Sequence, residues 1–187
     1  MTFEISLNLN DLTFYEHPTK IWIFDNLLED ALFQELRASI DFKQQVVDGH
    51  GKRKLTRQNG LDKFLNKVPL WQKFITHIEH GPNLIDSGPL RDLKSDPGSR
   101  HLGRELSDLN FESEVVPHKD KYSKIASFIF YFNEYDESNA NGVGATQFYK
   151  PKKTFHNNNL FNQPLSFDEV DTVLHAESIP NRLVVFE

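Results

Sequence analysis

Residues 111–149, FESEVVPHKDKYSKIASFIFYFNEYDESNANGVGATQFY, decide how the rest of the chain is read. His118 and Asp120 stand one residue apart, directly after Pro117 and at the end of an alternating run. In extended backbone, residues i and i+2 point to the same side, so an imidazole and a carboxylate at this spacing can meet at one metal ion. They would supply two of the three ligands of a 2-His-1-carboxylate set, which leaves positions on non-haem Fe(II) open for a co-substrate and oxygen. Residues 125–132, IASFIFYF, then read as a strand buried on both faces. Ile125, Ser127, Ile129 and Tyr131 share one face, and Ala126, Phe128, Phe130 and Phe132 the other. The first face carries the polar atoms and is expected to look into a cavity, with the phenylalanine face packed under helices. After a polar turn from Asn133 to Asn141, Gly142 and Gly144 lead into a second short strand, ATQFY, expected to pair antiparallel with the first.

Towards the amino terminus, FEISLNL at 3–9 alternates and predicts a half-buried strand, broken by Asn10 and Asp11. A second strand, Lys20 to Phe24, precedes Asp25 and Asn26, either of which could cap a helix. Leu28, Ala31, Leu32, Glu35, Leu36 and Ile40 then fall at helical spacing. Residues 43–57 combine Gly49 and Gly51 with a run of positive charge and read as a solvated hairpin tip. Pro69 opens a helix, PLWQKFITHIEH, with Leu70, Phe74, Ile75 and Ile78 as its apolar stripe and His77 and His80 exposed opposite. From Gly81 to Arg100, three prolines and three glycines without a sustained period predict a functional loop. Beyond the central stretch come Lys150, Lys152 and Lys153, an asparagine-rich excursion, a strand over Thr172 to Ile179, a Pro180-Asn181 turn and a final strand, RLVVF.

A length of 187 residues suggests one domain, and 38% hydrophobic content with 16 phenylalanines supports a packed aromatic core. The net charge of −6 argues against an electrostatic nucleic-acid binder. The absence of cysteine excludes disulfides and thiolate metal sites, leaving His, Asp and Glu as the strong ligands. No apolar run reaches membrane-spanning length and the first residues lack signal-peptide features, so a cytoplasmic enzyme without a membrane partner is expected. The element order predicts an α+β fold with helices gathered against antiparallel β-structure.

In motif order the chain resembles the Fe(II)- and 2-oxoglutarate-dependent dioxygenases, most closely the prolyl-hydroxylase-like branch. The matching segments are His118-Lys119-Asp120, Tyr131-Phe132-Asn133, Gly142-Val143-Gly144 to Phe148-Tyr149, and Pro180-Asn181-Arg182-Leu183-Val184-Val185-Phe186. The resemblance implies a double-stranded β-helix (jelly-roll) core over 111–187, after strands and supporting helices in 1–110, with the helices on one face. It implies Fe(II) at His118 and Asp120, and 2-oxoglutarate as co-substrate with its distal carboxylate on Tyr131. Oxidative decarboxylation to succinate would then be coupled to hydroxylation of a C–H bond. Segments ahead of the His-x-Asp strand border the substrate opening in such enzymes, so Arg91, Arg100 and Arg104 are substrate candidates. Lys119, with Lys121, Lys124, Lys150 and Lys152, gives the site a positive rim suited to an anionic small molecule or acidic peptide.

In the resembled family a distal histidine and then an Arg or Lys that pairs with 2-oxoglutarate follow the RLVVF-like strand. His156 and His175 do not match the first position, and Arg182 matches only the structural arginine of its own strand. The expectation is therefore an inactive fragment, truncated at its carboxy terminus and lacking its last strands, that homodimerises through open strand edges. The competing reading is a cupin-type or non-enzymatic jelly-roll binding protein. Cupin sites present His-x-His, which Asp120 opposes, and no HExxH spacing points to a zinc hydrolase.

Overall fold

The computed structural model describes residues 5–40, 46–47, 53–56, 67–80, 89–90, 93, 105–108, 126–134, 144–153 and 165–187. The fold is mixed α+β, with antiparallel sheets and few helices among the described residues. Two compact units form, Met1–Leu9 with Asn26–Ser113 and Asn10–Asp25 with Glu114–Glu187.

In the first unit, burial alternates along Ile5 to Leu9 as the pattern predicts, but the segment forms only the bridge Leu7–Leu28 and the bond from Asn8 N–H to the Leu27 carbonyl, 2.8 Å. Helix α1, Asp30–Ala38, buries Leu32, Phe33 and Leu36, and places Asp30 in its first turn and Arg37 in its last, where each suits the helix dipole. Its N-cap is Glu29. Asn26 instead turns the chain at a φ of 49°. Helix α2, Pro69–His80, starts at its proline as expected. Its buried stripe is Trp71, Phe74 and Ile78, with Leu70 and Ile75 half-buried. The helix is thus turned towards its indole, whose N–H donates to Ser39 Oγ at 2.7 Å while Ser39 Oγ donates to the Leu36 carbonyl. His77 is drawn in by the same rotation and is half-buried rather than exposed. The same unit holds a three-stranded antiparallel sheet, β3 (Val46–Val47), β4 (Arg53–Thr56) and β5 (Glu105–Asp108), and the tip expected between β3 and β4 lies outside the described residues.

The second unit holds β1 (Leu12–Tyr15), β2 (Ile21–Phe24), β6 (Ser127–Phe130), β7 (Thr146–Pro151), β8 (Val170–Ala176) and β9 (Leu183–Phe186). One antiparallel sheet runs β1-β2-β9-β6 and a second pairs β7 with β8. The continuous apolar runs IWIF and LVVF take the two central positions, where a strand can bury both faces. Between Asp11 and the His17-Pro18 turn, Leu12–Tyr15 forms an edge strand that the alternation at 3–9 does not announce.

The hairpin expected from β6 and β7 does not form, because β6 pairs with β9, and β7 with β8. A connection from 131 to 145 is too long to impose a tight hairpin, so burial selects the partners instead. The result is a nested pairing, β7–β8 within β6–β9. Register aligns Ile21, Phe186 and Ser127, and then Ile23, Val184 and Ile129, on one face of the larger sheet. Phe148, Leu174 and Ala176 of the smaller sheet pack against that face, with Phe148 edge-on to Phe186 at 5.1 Å. The face of Ile129 and Tyr131, expected to look into a cavity, packs against the smaller sheet. No helix among the described residues is long and apolar enough to cross a membrane.

Candidate functional site

Tyr131 extends the β6–β9 ladder by one pair. Its N–H donates to the Arg182 carbonyl and its carbonyl accepts from Asn181 N–H, both at 3.0 Å. This continued register keeps the side chain on the inner face, where Tyr131 is buried among Ile21, Ile23, Phe148, Ala176 and Val184. Its phenol oxygen lies 2.6 Å from Thr146 Oγ1, at the first residue of β7. Two hydroxyls share that one bond, so whichever donates, one O–H proton remains for a third group. Burial pushes the phenol above its ordinary value, against the Thr146 hydroxyl, the Thr146 backbone and the Arg182 charge, which pull it down. Tyr131 is therefore a neutral phenol at neutral pH. The sequence reading missed Thr146, although a polar residue sharing an inward face with Phe148 two positions on is a visible signal.

Around this pair, the Tyr131-Phe132-Asn133 segment and Gly144 close on one turn. Asn133 Nδ2 donates to the carbonyls of Ser178 at 2.6 Å and Glu134 at 3.0 Å, which fixes the amide's orientation. Its Oδ1 is buried and has no hydrogen-bond partner among the described residues. Gly144 sits at a φ of +75°, and a Cβ there would lie 3.3 Å from Ser178 Oγ, so both backbone and space call for glycine. The Ser178 side of this turn is held by Arg182, whose Nη1 donates to the Glu177 carbonyl at 3.1 Å. Arg182 also clasps Asp25 through Nε–Oδ1 at 2.5 Å and Nη2–Oδ2 at 2.9 Å. This fork anchors the start of β9 and gives Asp25 a role in place of helix capping.

Of the other residues singled out in the sequence, His118, Lys119, Asp120, Arg104 and His156 lie outside the described residues, as do Arg91, Arg100, Lys121 and Lys124. His175 is exposed on β8, between the inward Leu174 and Ala176, and so stands on the face away from Tyr131. Lys150 and Lys152 are exposed. Lys152 donates to the Asp168 carbonyl at 2.9 Å and lies 3.8 Å from the Asp171 carboxylate. Among the described residues no three His, Asp or Glu side chains gather to hold a metal ion. Chemically, the Tyr131–Thr146 pair is suited to binding an acceptor such as a carboxylate oxygen. No protein-family model, curated protein or solved structure matches the chain.

Proposed function

We propose that the chain is an Fe(II)- and 2-oxoglutarate-dependent oxygenase of prolyl-hydroxylase-like type, built on a jelly-roll core. The observation that carries this reading is the inward phenol of Tyr131, held by Thr146 between two packed antiparallel sheets on the strand that follows His118-Lys119-Asp120. The nested pairing supports the jelly-roll winding, because a long hairpin folded over on itself places its inner and outer ladders in two facing sheets.

A buried hydroxyl pair with one proton to spare fits an oxygen of the 2-oxoglutarate carboxylate. Iron, held by His118 and Asp120, would supply the oxidative decarboxylation and C–H hydroxylation. The chain's own residues bind and orient. Tyr131 donates to the co-substrate, Thr146 holds the phenol in place, and the packed inner faces around Phe148, Leu174 and Val184 keep water out. Arg182, committed to Asp25, is not the charge partner of that carboxylate. Lys119 borders the metal residues in sequence and favours an anionic small molecule or peptide as substrate.

The test is conversion of 2-oxoglutarate to succinate with added Fe(II), alongside metal analysis of protein purified without a nickel column. Asp120→Ala should abolish iron binding and turnover. Tyr131→Phe should raise the KM for 2-oxoglutarate about tenfold, the equivalent of about 1.4 kcal/mol, with iron affinity retained. Turnover and metal content unchanged in Asp120→Ala would overturn the assignment. A wild-type chain that binds neither iron nor 2-oxoglutarate would overturn the oxygenase reading for this chain.

A further inference from the structure

Strand β1 is the edge of the larger sheet, with β2 as its one neighbour among the described residues. Asp25 N–H donates to the Asp11 carbonyl, and the register sets Thr13 opposite Ile23 and Tyr15 opposite Ile21. Antiparallel pairs alternate, so Asp11, Thr13 and Tyr15 turn their main-chain groups towards β2. Leu12 and Phe14 turn theirs outward. The edge is also apolar. Phe14 is 49% exposed although its ring lies 5.4 Å from that of the buried Trp22, and Tyr15 is 36% exposed. Edge strands are usually blunted by lysine, proline or a bulge, and Leu12–Tyr15 contains neither residue and pairs with β2 in unbroken register.

We propose that β1 pairs with β1 of a second copy, antiparallel about a twofold axis through Thr13, joining two sheets into one. The occupant follows from the strand's own pattern. Leu12-Thr13-Phe14 reads apolar, threonine, apolar in both directions, and facing residues in a sheet share a side. Leu12 of each copy therefore faces Phe14 of the other, and their outward main-chain groups exchange both hydrogen bonds. Thr13 faces Thr13 as a non-hydrogen-bonded pair with Cα atoms about 4.5 Å apart. Asp11 faces Tyr15, so no like charges meet. Sliding by one pair would set Leu12 against Glu16, an apolar side chain against a charge, and is disfavoured.

The natural chain has no cysteine, so one introduced thiol reports register without background. Thr13→Cys should give a disulfide-linked dimer under mild oxidation, because its Cα separation falls within disulfide range. Leu12→Cys and Phe14→Cys should each cross-link poorly alone and readily when mixed. Wild-type protein should sediment as a concentration-dependent dimer, and Phe14→Lys as a monomer with unchanged circular dichroism. The inference fails if the wild type is monomeric at its highest soluble concentration. It fails equally if cysteines at 12, 13 and 14 cross-link alike, or if a folded Phe14→Lys remains dimeric.

Discussion

Strands β8 and β9 follow one another in the chain, yet they meet opposite fates. In β9 Leu183, Val184 and Val185 are all buried, although alternate side chains point to opposite faces. In β8 only Val170 and Ala176 are buried, Leu174 is half-buried, and Val173 stands 44% exposed where the register with β7 shifts at Phe148/Tyr149. Strand β9 is also anchored at its start, where Arg182 forks onto Asp25. Adjacent in sequence, the seven-residue β8 and the four-residue β9 show that position within a sheet, rather than β-propensity, sets what each residue contributes. An unbroken apolar run takes the centre, and an interrupted one covers a single face.

The largest way to break this contrast is Leu183→Ala, which empties a site 2% exposed and should cost about 3 kcal/mol by denaturant unfolding. A loss below about 1 kcal/mol would mean that β9 is not central. Next, Asp25→Ala leaves the Arg182 guanidinium, 13% exposed, without its counter-ion. The expected loss is about 2 to 3 kcal/mol, somewhat below that of a fully buried pair, because the Asp25 side chain retains 28% exposure. Arg182→Met in the same background should recover part of it, and a double-mutant cycle showing no coupling would remove the clamp from the account. The smallest effect is Val173→Thr, which should change stability by less than about 0.5 kcal/mol. A larger loss would show that the outer face of β8 is covered.

Several features were legible before any coordinates. Pro69 marked the start of α2, IWIF and LVVF marked β2 and β9, and Asn181 was placed in a turn, where it adopts a φ of 62°. The inward parity of Tyr131 was legible as well. Other features were not. Strand β5, ELSD, has one apolar residue and no period to read. Asp25 has the composition of a helix cap, and only the arrival of Arg182 from 157 positions away gives it another partner.

By itself, then, the sequence determined which segments are apolar, which faces they turn inward and where turns interrupt them, because those follow from spacing along a single strand or helix. It also determined the chemistry on offer: no thiol, a His-x-Asp pair, and a tyrosine on an inward face. Only the tertiary structure decided that β6 pairs with β9 rather than β7, that Thr146 meets Tyr131, and that Asp25 meets Arg182. Partner choice depends on which long connections close and which faces are then buried together. Closure entropy rises slowly with loop length, so neighbourhood in the chain is a weak constraint beside the burial that distant partners provide.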